Sequence, residues 1–530
     1  MTTETVTPYR SELPQRRDGF AQLLRAEWTK LRTVRGWLIG LGIAAVVTVL
    51  VGVLGPLGSS ISCIGPNGRA CTVPQLPLGP GGEPVTDNFY FVHQPLAGNG
   101  TITVRVTSLT GAHPDFAATG NGQSGLQTAS GVQAWAKAGL MIKGDISQGS
   151  TYAAVMVTGS HGVRMQYDYT HDTAGLTGIV SADSPRWLRL TRSGDTVTGY
   201  DSTDGVQWNT IETVTLTGLS STAQVGLFAT SPEYQVITDS FGGSSGDSGP
   251  SRATAGFDDV GLQNASAQGA WTGTAVGGAD LKSGLESGFQ QSGAAFTVSG
   301  SGDIAPIVPG QGGRTKTIAD SLVGAFAGLI AIVVVAAMFI TAEYRRGLIR
   351  TTLAASPRRG RMLAAKAVVI GAAAFVVGLI AAGVAIPIVT KLEHDKTLYV
   401  FPISTLTELR VIVGTAALLA AAAVFALAIG TMLRRSAGAV ATMIVVIVLP
   451  YILSVASILP SGAAEWLTRL TPAAAFAIQQ TVPQYAQVTA SYTPSAGFFP
   501  LSPWAGLGVL CAYAAAALAL ATVLLRRRDA

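Results

Sequence analysis

Any chemistry in this 530-residue chain would have to come from a thin supply of polar side chains, so those come first. Cleaving a glycosidic bond needs two carboxyl groups about 5 to 9.5 Å apart. Asp168 and Asp172, Asp201 and Asp204, and Asp258 and Asp259 are closely spaced in sequence, but they read as turn and surface carboxylates. His161 and His171 lack the spacing of metal ligands. Three cysteines are too few for a disulfide scaffold or a multi-Cys zinc site. ATP hydrolysis calls for a phosphate cradle of the form G-x-x-x-x-G-K-[ST]. The nearest string, Gly310-Gln311-Gly312-Gly313-Arg314-Thr315-Lys316-Thr317, has Thr315 where the second glycine must stand. No catalytic or metal site is therefore expected on this chain.

The elements that must position the remaining charges are mostly apolar. Lys and Arg number 35, Asp and Glu 30, so only 12% of positions are charged, about half the share of an ordinary soluble protein. Mean hydropathy is +0.40. Charges are spread through residues 58–320 and nearly absent from long runs elsewhere. A helix needs about 20 apolar residues to cross the hydrocarbon core. Six uncharged runs meet that length: residues 37–57, 321–342, 367–390, 411–433, 437–459 and 504–525. Ion-coupled carriers place titratable groups inside their spans. None of these six runs contains Asp, Glu, Lys, Arg or His, so work must enter through the loops.

Positive charge orients the spans. With the N-terminus inside, the cytoplasmic segments 1–36, 343–366 and 526–530 and the turn at Arg434 and Arg435 hold nineteen Arg and Lys. The short outer loops hold four: Lys391, Lys396, Arg410 and Arg469. Both termini are thus expected in the cytoplasm of a bacterial cell, with no nucleic-acid partner because the cations flank apolar runs. Pro56-Leu57-Gly58-Ser59 lacks the small-residue pattern of a signal-peptide cleavage site.

Residues 58–320 then lie outside. In the linker 58–83, Cys63 and Cys71 either close a small disulfide loop in an oxidising compartment or remain two thiols. Period-two alternation marks strands at Thr101 to Val106, Ala138 to Ile142, Tyr152 to Val157, Val163 to Tyr169, Trp187 to Arg192, Val197 to Tyr200 and Val225 to Ala229. These predict an all-β sandwich over 84–263, with Trp187, Tyr200 and Trp208 read as core residues, the alternative being a sugar platform. Gly242 to Gly256 reads as a flexible insertion, and 264–320 as a Gly-rich return to the membrane. The strings AGLMIKGD at Ala138, PRWLRLTRSGDTVTGYDSTDGVQW from Pro185, QVGLFATS and FDDVGL resemble the concanavalin A-like, laminin G-like family. That resemblance implies a jelly-roll fold and leaves open a cell-wall glycan as ligand.

Phe20, Leu23, Leu24, Trp28, Leu31 and Val34 recur at helical spacing, with Arg25, Glu27, Lys30, Arg32 and Arg35 between them. The pattern predicts an interfacial helix with its apolar face in lipid. The text AEYRRGLIRTTLAASPRRGRMLAAK, from Ala342 to Lys366, then resembles the permease subunits of type-2 ATP-binding cassette (ABC) exporters. In that family an acidic residue ends the second span and a basic coupling helix precedes the third. Glu343, Arg345, Arg346, Gly347, Arg350, Pro357, Arg358, Arg359, Arg361 and Lys366 occupy this loop. LLRAEWTKLRTVRGW and RLTPAAAFAIQQ extend the likeness to both flanks. Two readings are open for Glu343: an ion pair with the arginines after it, or a mechanical role.

The resemblance implies a multi-span α-helical permease carrying an inserted β-sandwich. Its partners would be two P-loop ATPase subunits, which hold the ATP and Mg, and a second permease half, identical or paralogous. Gly324-Ala325-Phe326-Ala327-Gly328 allows close helix packing, within the chain or across a dimer. The uncharged stretch Thr471 to Pro503, within the outer segment 460–503, could hold a re-entrant helix if protein covers it.

Overall fold

The computed structural model describes residues 19–58, 75–116, 127–240, 243–263, 270–278, 285–311, 315–349, 358–396, 398–490 and 492–527. Cys63, Cys71, Arg350 and Pro357 lie outside them. Among the described residues, six helices are long and apolar enough to cross a membrane.

Helix α1 (Phe20–Thr33) leads through Val34 into α2 (Arg35–Gly58), the first span. The second span is α3 (Gly324–Arg345), entered by a 3-10 turn at Asp320–Leu322. The third, α4 (Arg359–Asp395), runs 37 residues, roughly 55 Å at 1.5 Å per residue. It overhangs a core of about 30 Å at both ends. Arg359, Arg361 and Lys366, read from sequence as loop residues, therefore belong to its first turns. The fourth span is α5 (Thr405–Leu433), started by the Ser404 hydroxyl accepting from the Thr407 amide. The fifth is α6 (Ser436–Met443), a π turn (Ile444–Val448) and α7 (Leu449–Val455). The widened turn precedes Pro450, whose nitrogen cannot donate.

Helix α8 (Ser461–Leu470) and a 3-10 helix (Pro472–Gln479) follow, then α9 (Pro503–Arg527), the sixth span. All eight residues of Pro472–Gln479 are buried, which covers the backbone of a segment unable to face lipid. A Cβ on Gly506 would come within 2.2 Å of the Ala474 carbonyl, so glycine lets α9 lie against this segment. The G-x-x-x-G of α3 is likewise used inside the chain. A Cβ on Gly324 would sit 1.8 Å from the Thr48 carbonyl, and one on Gly328 2.0 Å from Thr48 Oγ1.

Between α2 and α3 stands an antiparallel β domain. One sheet orders β11 (Asn209–Thr215), β10 (Thr196–Ser202), β9 (Arg186–Ser193), β3 (Gly100–Pro114), β15 (Arg252–Gln263), β18 (Ala295–Ser301) and β17 (Gly288–Ser292), with β4 (Thr128–Ser130) on β3. The other orders β16 (Thr272–Val276), β2 (Phe89–Ala97), β12 (Thr222–Thr230), β5 (Lys137–Lys143), β6 (Tyr152–Thr158), β7 (Val163–Tyr167) and β8 (His171–Ala174). Val104, Leu140, Val155, Leu188, Leu190, Val225 and Phe257 fill the space between them.

Three expectations are corrected here. Most of the stretch read as a flexible insertion is paired backbone: β14 (Gly243–Gly249) forms a hairpin with β13 (Tyr234–Ser240), and Arg252 already starts β15. The Gly-rich return segment supplies β16, β17 and β18, with Phe296 and Val298 in the core, so the sandwich runs past 263. Trp187, Tyr200 and Trp208 are half-buried rather than core. On β9 the buried partners are Leu188 and Leu190, so Trp187 faces the other way. There the Arg105 guanidinium stands 5.7 Å from the Trp187 ring, and Arg189 3.8 Å from Trp208.

The β5 and β6 strands are buried along their whole length, because β1 (Val85–Asp87) and β19 (Ile304–Pro306) cover part of the sheet's outer face. Lys143 is enclosed there, donating to Asp87 Oδ2 at 2.8 Å and to the Tyr169 hydroxyl at 3.2 Å. This end of the sandwich also meets the helical part. Gln487 Nε2 donates to the Tyr169 carbonyl at 3.3 Å, Gln311 Nε2 to the Thr489 carbonyl at 3.2 Å, and the Tyr399 hydroxyl to the Gly82 carbonyl.

Candidate functional site

At the end of the bundle away from the β domain, four charged side chains from three helices meet in the protein interior. Lys366, in the second turn of α4, is wholly buried, and its Nζ donates to Glu27 Oε2 and to Glu343 Oε1, each at 2.6 Å. Lys30 Nζ completes the ring, 2.8 Å from Glu27 Oε1 and 3.2 Å from Glu343 Oε1. Lys30 is the one member open to solvent, its side chain 41% exposed. Two carboxylates and two ammoniums leave the cluster neutral, which is how a charge survives burial. Glu343 Oε2 is buried with no partner among the described residues, and the Phe339 ring lies 5.1 Å from Lys366 Nζ.

Local sequence explains the placement. Leu24, Glu27 and Leu31 are three and four residues apart, so they share one face of α1. Leu31 is buried and Leu24 half-buried against the helical core. On α3, Glu343 follows the buried Phe339 and Ile340 by one turn. On α4, Lys366 shares a face with the buried Met362, Leu363 and Ile370. The α1 expectation is thus corrected: Phe20 and Trp28 point outward, but Leu31 and Glu27 pack into the protein rather than lie in lipid or headgroups. Of the two readings for Glu343, no pair with the following arginines forms among the described residues. Its partners are Lys366 and Lys30.

Burial lowers the pKa of Lys30, but its hydrogen bond to Glu27 and the nearby charges of Glu343 and Glu27 outweigh that effect. The ammonium therefore stands above the ordinary lysine value.

The other loop cations have different places. Arg345 and Arg346 are exposed at the end of α3, where Gly347 turns the chain at φ 68°. Arg358 is the exposed N-cap of α4, and Arg361 is exposed in its first turn. Arg359 Nη1 donates to the Leu525 carbonyl at 2.7 Å, satisfying a free carbonyl in the last turn of α9. Arg32 is exposed on α1. The cluster thus binds α1, α3 and α4 into one unit beside a surface carrying Arg345, Arg346, Arg358 and Arg361.

In the β domain most of the expected carboxylates are taken up by structure. Asp168 Oδ1 accepts from the Thr151 hydroxyl at 2.6 Å, Asp172 pairs with Arg164, and Asp258 accepts from Arg105 Nε at 2.7 Å. Asp201 is not a surface residue: it is buried and accepts the Leu176 amide at 2.6 Å. The backbone amides of Gln207 and Val206, then the Ser202 hydroxyl, hold the Asp204 carboxyl below its ordinary pKa. His161 stacks on Trp135, centroids 3.9 Å apart. Among the described residues no group of three or more metal-ligating side chains assembles.

A family model described as ABC-2 family transporter protein matches residues 141–530. No curated protein matches. Among solved structures, scytalido-glutamic peptidase with a transition state analog inhibitor is 12% identical at a TM-score of 0.25, covering 42% of this chain and 100% of that one. A functionally unknown protein from Saccharomyces cerevisiae is 15% identical at a TM-score of 0.22, covering 37% and 84%. The GH43 protein BlXynB from Bacillus licheniformis is 11% identical at a TM-score of 0.17, covering 26% and 29%. These overlaps are too slight to bear on function.

Proposed function

Because the chain belongs to the ABC-2 family of transporter proteins, we propose that it is the membrane-spanning permease half of a bacterial ABC exporter. It moves its substrate with ATP, held with Mg on two separate P-loop subunits, and assembles with a second permease half, a copy or a paralogue. Both termini and the Glu343 to Arg361 surface face the cytoplasm of a plasma-membrane protein, in keeping with the bias of positive charge. The β domain, a concanavalin A-like sandwich, stands outside.

The observation that carries the mechanism is the ring of Glu27, Glu343 and Lys366, buried, with Lys30 at its solvent edge. An ATPase pushing on α1 or on the arginine surface moves both, because separating them would strand charges in the interior. That stranding costs about 3–5 kcal/mol. The push is delivered to α3 and α4, whose apolar faces pack on α2 and α5. Arg345, Arg346, Arg350, Pro357, Arg358, Arg359 and Arg361 form the docking surface, and α1 from Phe20 to Arg32 is its second contact.

Purification from the native host in mild detergent tests this reading. A stoichiometric P-loop subunit with vanadate-sensitive ATP hydrolysis is expected; the chain alone under several gentle conditions would contradict it. In the same preparation Arg358→Glu with Arg359→Glu is expected to lose most of the bound ATPase. Full retention would remove those residues from the contact.

A second reading makes the chain a membrane-anchored binder of cell-wall glycan, favoured by Trp187, Tyr200 and Trp208 lying outside the sandwich core. A glycan array probed with the purified protein tests it, and no retained glycan would remove it.

A further inference from the structure

A cavity of about 630 Å³ opens beside the coupling surface, between the end of α3 and the turn joining α5 to α6. Its lining divides by chemistry. Arg345, Arg434, Arg435 and the amphipathic Tyr344 form one part, and among the described lining residues there is no carboxylate. Met338, Ala342, Ile349 and Ala437 form an apolar part.

Two polar atoms here are buried without a partner among the described residues: Arg434 Nε and the Tyr344 hydroxyl. They belong to one assembly, with the Arg434 guanidinium 5.3 Å from the Tyr344 ring. Ser436, also in the lining, begins α6, and its N-cap Arg435 makes no side-chain capping bond. The first amides of α6 are therefore open to an acceptor. Arg434 itself sits at φ 56°, a left-handed C-cap position that glycine occupies with less strain.

Unopposed arginines, a free phenol and open amides together call for an anion with several acceptor oxygens, and a phosphate meets that description. The apolar wall beside them calls for a chain attached to it. We propose that this cavity holds the phosphate headgroup of an anionic membrane lipid, with an acyl chain against Met338 and Ile349. Tyr344 follows Glu343 directly, so the lipid site and the buried charge ring lie on the same turn of α3. The inference needs the chain to be in a membrane and does not depend on the ATPase.

The test is lipid retention by the full-length protein, measured by native mass spectrometry after incubation with phosphatidylglycerol or phosphatidylcholine of the same chain length. Thermal unfolding is followed in parallel. Wild type is expected to prefer phosphatidylglycerol by at least about ten-fold, and 10-fold excess inorganic phosphate is expected not to displace it. Arg434→Gly with Arg435→Gln should abolish the preference. The glycine suits the left-handed backbone, so the unfolding temperature is expected to hold. Arg526→Gln with Arg527→Gln, the same loss of charge elsewhere at this end, should keep the preference. Equal retention of the two lipids, a preference that survives the Arg434 and Arg435 changes, or displacement by inorganic phosphate would each overturn the proposal.

Discussion

Lys366 is the residue on which the account turns, since it is wholly buried between two carboxylates from different helices. Lys366→Met leaves Glu27 and Glu343 facing each other in the interior with only Lys30 between them. The expected cost is about 3–5 kcal/mol, read as a lower unfolding temperature of the detergent-solubilised chain. Adding Glu27→Gln and Glu343→Gln should recover most of it, because uncharged groups of similar shape need no counter-charge; no recovery would mean Lys366 acts by packing alone. The pH response follows from Lys30. Its raised pKa stabilises the fold fully below the unfolded value, about 10.4, and the contribution is lost as pH climbs through the higher folded value. Protease resistance of α1 should thus be flat from about pH 6 to 9 and fall only in stronger alkali. Loss near neutral pH would contradict the pairing.

The elements show which parts of this architecture are written locally. The six spans are legible because one central charge outweighs several leucines, so an uncharged run of spanning length has few other readings. The strand around Leu188 is legible from alternation, and the one around Val155, buried on both faces, from a short apolar run. Strand β14, mostly Gly and Ser, is not legible, because its pairing comes from the opposite strand and not from its own side chains. The glycines of α3 signalled close packing without a partner, and only the fold assigns Thr48. Gly328→Leu is therefore expected to lose about 1–3 kcal/mol as α2 and α3 are forced apart, whereas Gly55→Leu, with open space around it, should change little. Equal effects on the yield of folded, monodisperse protein would count against this packing.

For the whole molecule, the buried ring was half legible. Glu27 shares the face of Leu24 and Leu31, and Lys366 that of Leu363 and Ile370, so each charge stood at a core position of its helix. What a single helix cannot say is that these misfits answer one another across 339 positions of chain. Their meeting turns a surface helix into part of the membrane bundle. The β domain is tied to the far end by Gln487, Gln311 and Tyr399, so the two ends of the molecule are joined through α3 and α4. The measurement that tests this most directly is hydrogen exchange of the intact permease–ATPase complex, nucleotide-free against vanadate-trapped. It is read over Phe20–Thr33, the last turn of α3 and the first turns of α4. The account predicts that the three segments change protection together in the wild type. A response in α1 alone, or none in any of the three while the ATPase subunit responds, would contradict it.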